Sequence, residues 1–376
     1  MITARPGSHV HQLLQLITAA GEIPASALPI IGNERVMAAL VHKLESIQDI
    51  RFSRGGFVYH VRLIQVSGRK DKRTIRLYKK GLVVLDELYQ GLLDWYLSAF
   101  DGHNFTGDPF HIWRNHRVAE VLALCLTAGI EIRPYVLPPL QKSVIRRITP
   151  ESPCFYIARY FKKTDTESAN KTMYTRITGG LFCTDQCFAV YNTRGAVMKW
   201  SGRGEVKALG NLLELARMNA GLDEVSAALL MGENYEVAIN TILESDKTRR
   251  SELRFDKIYR RIHFIPLNQY GTRLLKMIII PNWNEKLLNA LFEPGQRSYN
   301  RGAIEYDAVV NGKKILSHLD GDIARLIRFR EAQNCQTEPA DVLCFPWQTG
   351  FLKSYLNGTA GLRELDMDAV EAALRE

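Results

Sequence analysis

The sequence predicts an α+β protein, with an N-terminal winged helix-turn-helix followed by a mixed α/β domain. Three observations carry that expectation. The first 46 residues hold three stretches with helical apolar spacing, separated by Gly21 and Gly32-Asn33. Residues 57–78 then read as two alternating strands around a tip with four basic residues and one acidic residue. From Ser152 onward, short β-rich runs alternate with helical ones.

In the first helix, Val10, Leu13, Leu14 and Ile17 recur on one face, with Ser8 as N-cap and Gly21 as terminator. Pro24 to Ile31 predicts a short second helix, since proline suits a first helical turn. The third runs from about Asn33 to Ser46, its stripe formed by Val36, Met37, Leu40, Val41 and Leu44. Helix, short helix, turn, helix is the tri-helical order of a helix-turn-helix.

Phe57 to Val66 and Thr74 to Tyr78 predict a hairpin whose tip is Ser67 to Arg73, placed as a wing. On this reading the third helix enters the major groove and offers Asn33, Arg35, Ala38, His42 and Lys43. Arg69, Lys70, Lys72 and Arg73 contact backbone or minor groove from the wing. A long helix, Leu82 to Phe100, is expected next.

The Gly/Asp/Asn-rich stretch Asp101 to Pro109 reads as a linker, followed by a helix from Trp113 to Thr127 that Gly129 ends. The expected division is 1–100 for the winged helix, 101–150 for linker and connecting helix, 151–332 for the α/β domain and 333–376 for a tail with a short helix. In the α/β domain, strands are expected at Cys154 to Phe161, within Gly180 to Tyr191 around a turn at Thr184-Asp185-Gln186, and at Ala196 to Trp200. A helix from Gly204 to Asn219 follows. Beyond it come Ile262 to Ile265, Leu274 to Ile280, a helix Glu285 to Phe292, a hairpin at Asn311-Gly312 and a basic helix Ile323 to Ala332.

The formal charge of +9 on 376 residues favours a polyanionic partner, because each neutralised phosphate releases a counterion. Six cysteines without a C-x-x-C pair read as buried free thiols of a reducing cytosol. No signal peptide and no apolar run near the ~20 residues needed to cross a bilayer is evident, so a cytoplasmic protein with no membrane partner is expected.

Four catalytic patterns bear on what this sequence can do. A magnesium nuclease of restriction-enzyme type needs an acid on one strand and E-x-K on its neighbour, so that carboxylates hold the metal and lysine supports the attacking water. Asp185 with Glu205-Val206-Lys207 has those letters. Glu305, Asp307, Asp320 and Asp322 could meet a metal, although Asp320 or Asp322 serves equally as N-cap of the Ile323 helix. His9-Val10-His11 has the letters of a relaxase metal motif but starts a packed helix. No P-loop for ATP exists. The expectation is therefore no cofactor, no metal and no catalytic residue. Outside the winged helix, Lys142, Arg146, Arg147, and Arg249 to Arg261 with Phe255 and Tyr259 interleaved, form basic stretches suited to phosphate.

Two segments carry a family resemblance: Tyr78-Lys79-Lys80-Gly81 after the basic hairpin, and Asn115-His116-Arg117-Val118-Ala119-Glu120-Val121-Leu122 after the linker. With Tyr174 to Gly179 and Met198-Lys199-Trp200, the arrangement resembles the replication-relaxation proteins of bacterial plasmids and integrative elements. The resemblance covers about the first two-thirds of the chain. It implies a DNA-binding accessory or regulatory factor of a mobile element, with double-stranded DNA as partner, and a relaxase or replication initiator as a further one. Some members of that family carry a degenerate nuclease-like core in the second domain, but this sequence presents no clean acid–lysine signature there. A homodimer is compatible with this reading. The two alternatives are a metal-dependent nuclease and a protein-interaction adaptor.

Overall fold

A computed structural model describes residues 1–53, 56–69, 73–105, 107–132, 153–161, 176–198, 203–243, 254–298, 305–335 and 338–375. Among these the fold is mixed α/β, built on four sheets.

The N-terminal part opens with β1 (Ile2–Ala4) and α1 (His9–Ala20). The Ser8 hydroxyl accepts the His11 amide, and Gly21, at φ 82°, returns its amide to the Ile17 carbonyl. Both expected caps of this helix are present. The segment expected as a short helix from Pro24 begins instead as β2 (Glu22–Pro24), then a 3-10 turn, and α2 (Leu28–Ile31). Next comes α3 (Glu34–Leu44), whose N-cap Asn33 accepts the Arg35 and Val36 amides. Met37, Val41 and Leu44 are buried as its stripe requires, whereas Val36 faces solvent.

The expected single strand Phe57 to Val66 is two. After β3 (Gln48–Phe52), β4 (Val58–Val61) pairs with β3, whereas β5 (Ile64–Ser67) pairs with β6 (Thr74–Leu77). The break falls at Leu63, whose amide donates to the Leu44 carbonyl at 3.2 Å while its own carbonyl accepts the Tyr78 amide at 2.8 Å. Its backbone is thus spent on the end of α3 and on Tyr78, and the chain changes sheets there. Two three-stranded sheets result, ordered β1-β3-β4 and β2-β6-β5.

The expected long helix to Phe100 is also broken. A 3-10 segment leads into α4 (Leu85–Leu88), and Gly91 at φ 78° separates it from α5 (Leu92–Ala99). The connecting helix is α6 (Pro109–Ala128), longer than expected, with Asp108 as N-cap and Pro109 at its first position. From Val118 to Cys125 every residue is buried, as in a helix packed on all sides. It lies against α1, α2 and β2 on one side.

On its other side α6 meets the six-stranded sheet. After β7 (Glu131–Ile132) come β8 (Cys154–Ile157), α7 (Ala158–Phe161), β9 (Ile177–Phe182) and β10 (Cys187–Arg194). The expected hairpin turn at 184–186 is present. Strand β10 runs on past the expected end at Tyr191 to Arg194, and Ala196 to Met198, expected to begin a strand, is not one. Helix α8 (Arg203–Ala220) then crosses to β11 (Ala227–Gly232), and α9 (Tyr235–Leu243) and α10 (Phe255–Ile258) to β12 (Ile262–Pro266). The order is β12-β11-β10-β9-β8-β7, with β10, β11 and β12 parallel and β8, β9 and β10 antiparallel.

Leu274 to Ile278 belongs to α11 (Gln269–Ile278), followed by α12 (Trp283–Leu291). Gly271 lets α11 approach β12, since a Cβ there would lie 1.8 Å from the Pro266 carbonyl oxygen. The hairpin of β13 (Ala308–Val310) and β14 (Lys313–Ser317) turns on Asn311 and Gly312, both at positive φ, as a two-residue turn of this kind requires. Helix α13 (Ile323–Cys335) follows.

The remainder is more than a tail with one helix. It supplies β15 (Ala340–Cys344), α14 (Pro346–Leu356), β16 (Gly361–Glu364) and α15 (Met367–Arg375), completing a sheet ordered β13-β14-β15-β16. Among the described residues no helix is long and apolar enough to cross a membrane.

Candidate nucleic-acid interface and a buried acid–arginine centre

The site residues read from sequence fall on two neighbouring features. Helix α3 buries Met37, Val41 and Leu44 and leaves Asn33, Arg35, Ala38, His42 and Lys43 exposed. Arg69 and Arg73 flank the tip between β5 and β6, and both are exposed. Lys70 and Lys72 lie outside the described residues. A shallow depression of about 160 Å³ separates helix from hairpin, and Ala38, His42 and Arg73 line it together. Glu34 and Glu45 line it too, so its charge is mixed. Glu45 is partly spent, accepting the Val66 amide at 3.1 Å and lying 3.6 Å from Arg62.

A centre that sequence reading missed sits where α6 crosses the sheet. Glu120 is buried, and its carboxylate accepts three hydrogen bonds and one further ion-pair contact. Oε1 takes Ser26 Oγ and both Nε and Nη2 of Arg194, each at 3.0 Å, and Oε2 takes Asn192 Nδ2 at 3.0 Å. Burial raises the Glu120 pKa above the usual carboxylate range, against the pull of Arg194, Asn192 and Ser26. The signal for it was a glutamate inside the apolar run Val118 to Leu126, since an acid there must find partners. Nearby, His116 Nε2 lies 3.1 Å from the Thr74 hydroxyl, and burial with Arg194 holds its pKa down to about 4.

This centre bears on the nuclease alternative. Asp185 sits in the turn before β10, where it accepts the Asn282 amide at 2.7 Å. Glu205 is on α8, past the far end of β10, paired with Arg176 at 2.9 Å, and Lys207 is exposed. The eight residues of β10, roughly 25 Å at ~3.3 Å per residue, run between the turn that holds Asp185 and the end that leads to α8. The acid and E-x-K letters therefore do not converge. At the C-terminal end of β10, Asn192-Thr193-Arg194 has the E-x-K spacing with an amide and a guanidinium in the two positions. Beside them Glu120 is already saturated by donors, so this donor set does not fit a divalent metal.

The second acidic group is also spent internally. Asp322 caps α13, accepting the Ala324 and Arg325 amides at 3.0 and 3.1 Å, and also takes the Ile262 amide at 3.1 Å. Asp320 accepts the Asp322 amide, and its main-chain oxygen lies 2.9 Å from His263 Nδ1. Asp307 and Glu305 pair with Arg325, and Glu305 also with Arg328. Among the described residues no group of three or more His, Cys, Asp or Glu is placed to hold a metal.

His9 and His11 lie in the first turn of α1, two residues apart, where helix geometry points side chains in different directions. Five of the six cysteines are buried and none is in a disulfide, and burial pushes the Cys183 thiol up. Phe255 and Tyr259 are core residues and do not interleave with the basic surface; the Tyr259 hydroxyl lies 2.9 Å from that of Tyr191. Lys257, Arg260 and Arg261 are exposed, and Arg254 pairs with Asp256. Lys142, Arg146, Arg147, Arg249 and Arg250 fall outside the described residues.

No protein-family model, no curated protein and no solved structure matches this chain.

Proposed function

We propose that the protein binds double-stranded DNA through residues 1–100, used as a winged helix, and that it acts as an accessory or regulatory factor of a bacterial mobile element. The observation that supports this is the sheet order β2-β6-β5 around α1, α2 and α3. A strand after the first helix, pairing with the second strand of a hairpin after the third, is the pattern a wing requires. Ala38 and His42 of α3 and Arg73 from the hairpin line one depression, so helix and hairpin can meet one duplex together. The inserted β3–β4 hairpin, paired with β1, leaves this order intact. The mobile-element setting rests on the family resemblance alone.

The saturated Glu120 centre favours binding without strand hydrolysis over the nuclease alternative. Fluorescence anisotropy with labelled duplex at low and physiological salt, with and without Mg²⁺, followed by a gel of the recovered DNA, tests the proposal. Salt-sensitive binding with intact duplex is expected. Mg²⁺-dependent cleavage would install the nuclease reading, and no duplex binding at low salt would favour the protein-interaction adaptor.

A further inference from the structure

A second cleft lies away from α3 and the wing, between the N-terminal ends of β11 and β12 and the first turns of α13. It holds about 550 Å³, within the ~300–1,000 Å³ of small-ligand sites. Five arginines line it: Arg260, Arg261, Arg297, Arg325 and Arg328.

The charges there divide into a fixed set and an available set. Arg325 is held by Asp307 at 2.9 Å and Glu305 at 3.3 Å, and Arg328 by Glu305 at 3.0 Å. Arg297, its side chain 4% exposed, is held by Glu285 at 2.9 Å and by Asn289. Three of the four lining carboxylates are therefore consumed by buried or half-buried guanidiniums. The fourth, Glu224, is exposed. Arg260 and Arg261 sit side by side just before β12, exposed, on a wall where every acid but Glu224 already serves another cation. Paired guanidiniums with planar donor forks suit a phosphate, which accepts two donors from each. Tyr306, Ile258 and Leu209 add an apolar wall for an organic body.

We propose that this cleft binds a phosphate-bearing group, with Arg260 and Arg261 on the phosphate and the Glu305-anchored arginines fixing the wall. The group comes either from a free nucleotide or from the backbone of a single strand. The site stands apart from the duplex-binding reading and does not depend on it.

The test is calorimetric titration of the full chain with ATP, with pyrophosphate and with a short oligothymidylate, repeated on Arg260→Glu/Arg261→Glu. Both positions are exposed, and unchanged circular dichroism will confirm the fold. Saturable one-to-one binding that weakens at least tenfold in the double variant is expected, as charge reversal beside a dianion predicts. Binding of ATP and pyrophosphate without oligothymidylate identifies a free nucleotide, and the reverse identifies a strand. Binding that is equal in parent and variant, or no saturable binding of any of the three probes, overturns the proposal. An Arg69→Ala/Arg73→Ala protein that has lost duplex binding yet keeps this titration separates the two sites.

Discussion

Glu120 on α6 and Arg194 at the end of β10 meet at 3.0 Å through two guanidinium nitrogens, and the same carboxylate oxygen also receives Ser26 from the turn after β2. One buried acid thereby ties the N-terminal part to the central sheet. Glu120→Ala leaves Arg194 without its counter-charge and should cost about 3 kcal/mol of stability, the low end for breaking a buried pair because Arg194 keeps some solvent contact. Urea denaturation measures this. A loss under about 1 kcal/mol would mean that the pair holds nothing together.

Arg69→Ala/Arg73→Ala should weaken binding to every duplex alike. If each arginine meets one phosphate, the slope of log affinity against log salt should become shallower by about two. Anisotropy across a salt series reads it directly, and an unaltered slope would remove the hairpin tip from the interface.

Arg35→Ala on α3 should act differently. It should cost about 1–3 kcal/mol on the preferred sequence and little on random duplex, because base-edge contacts carry discrimination. A selected-site experiment comparing parent and variant checks this. Equal losses on both DNAs would make Arg35 a backbone contact.

Acid should destabilise the fold before most carboxylates titrate. His318 is fully buried and its Nε2 has no hydrogen-bond partner; burial, with Arg325 and His263 nearby, pulls its pKa from an ordinary 6.5 down to about 3. A depressed folded pKa means that the unfolded chain binds the proton first. Stability is therefore complete above pH ~6.5 and falls as pH drops towards 3, by up to about 1.4 kcal/mol per unit. His116, held near 4, acts in the same direction. The urea midpoint should fall between pH 7 and pH 5, and His318→Phe should flatten that fall. An equal slope in the variant would relocate the effect.

Gly271→Ala should cost about 1–3 kcal/mol or more, because its methyl would collide with the Pro266 carbonyl. Thermal unfolding tests it. Gly295→Ala, with nothing within 4 Å of the added carbon, is the matched control.

Local chemistry made part of this fold readable. Ser8 caps the helix assigned to it, Gly21 ends that helix, and Asn311-Gly312 makes its hairpin. Each signal acts within four residues. What escaped depends on distant partners. Leu63 breaks a strand only because Leu44 and Tyr78 claim its backbone, and Glu120 finds Arg194 seventy-four residues away. Strand β15 is five residues long, bounded by Pro339 and Phe345-Pro346, and gains its identity from lying between β14 and β16. The α3 residues could be named because a helical stripe defines its own exposed face. The acid–arginine centre could not, since nothing in the sequence spacing joins Ser26, Glu120 and Asn192.

Helix α6 also governs how the molecule can be divided. Its residues Val118 to Cys125 are buried against elements from both halves of the chain. A fragment ending near Phe100 would lack the surface that covers α1 and β2, and one beginning after Gly129 would lack the cover of β9 and β10. Any transplant of the N-terminal part into another protein must therefore carry α6 with it, together with a substitute for the sheet on which that helix rests.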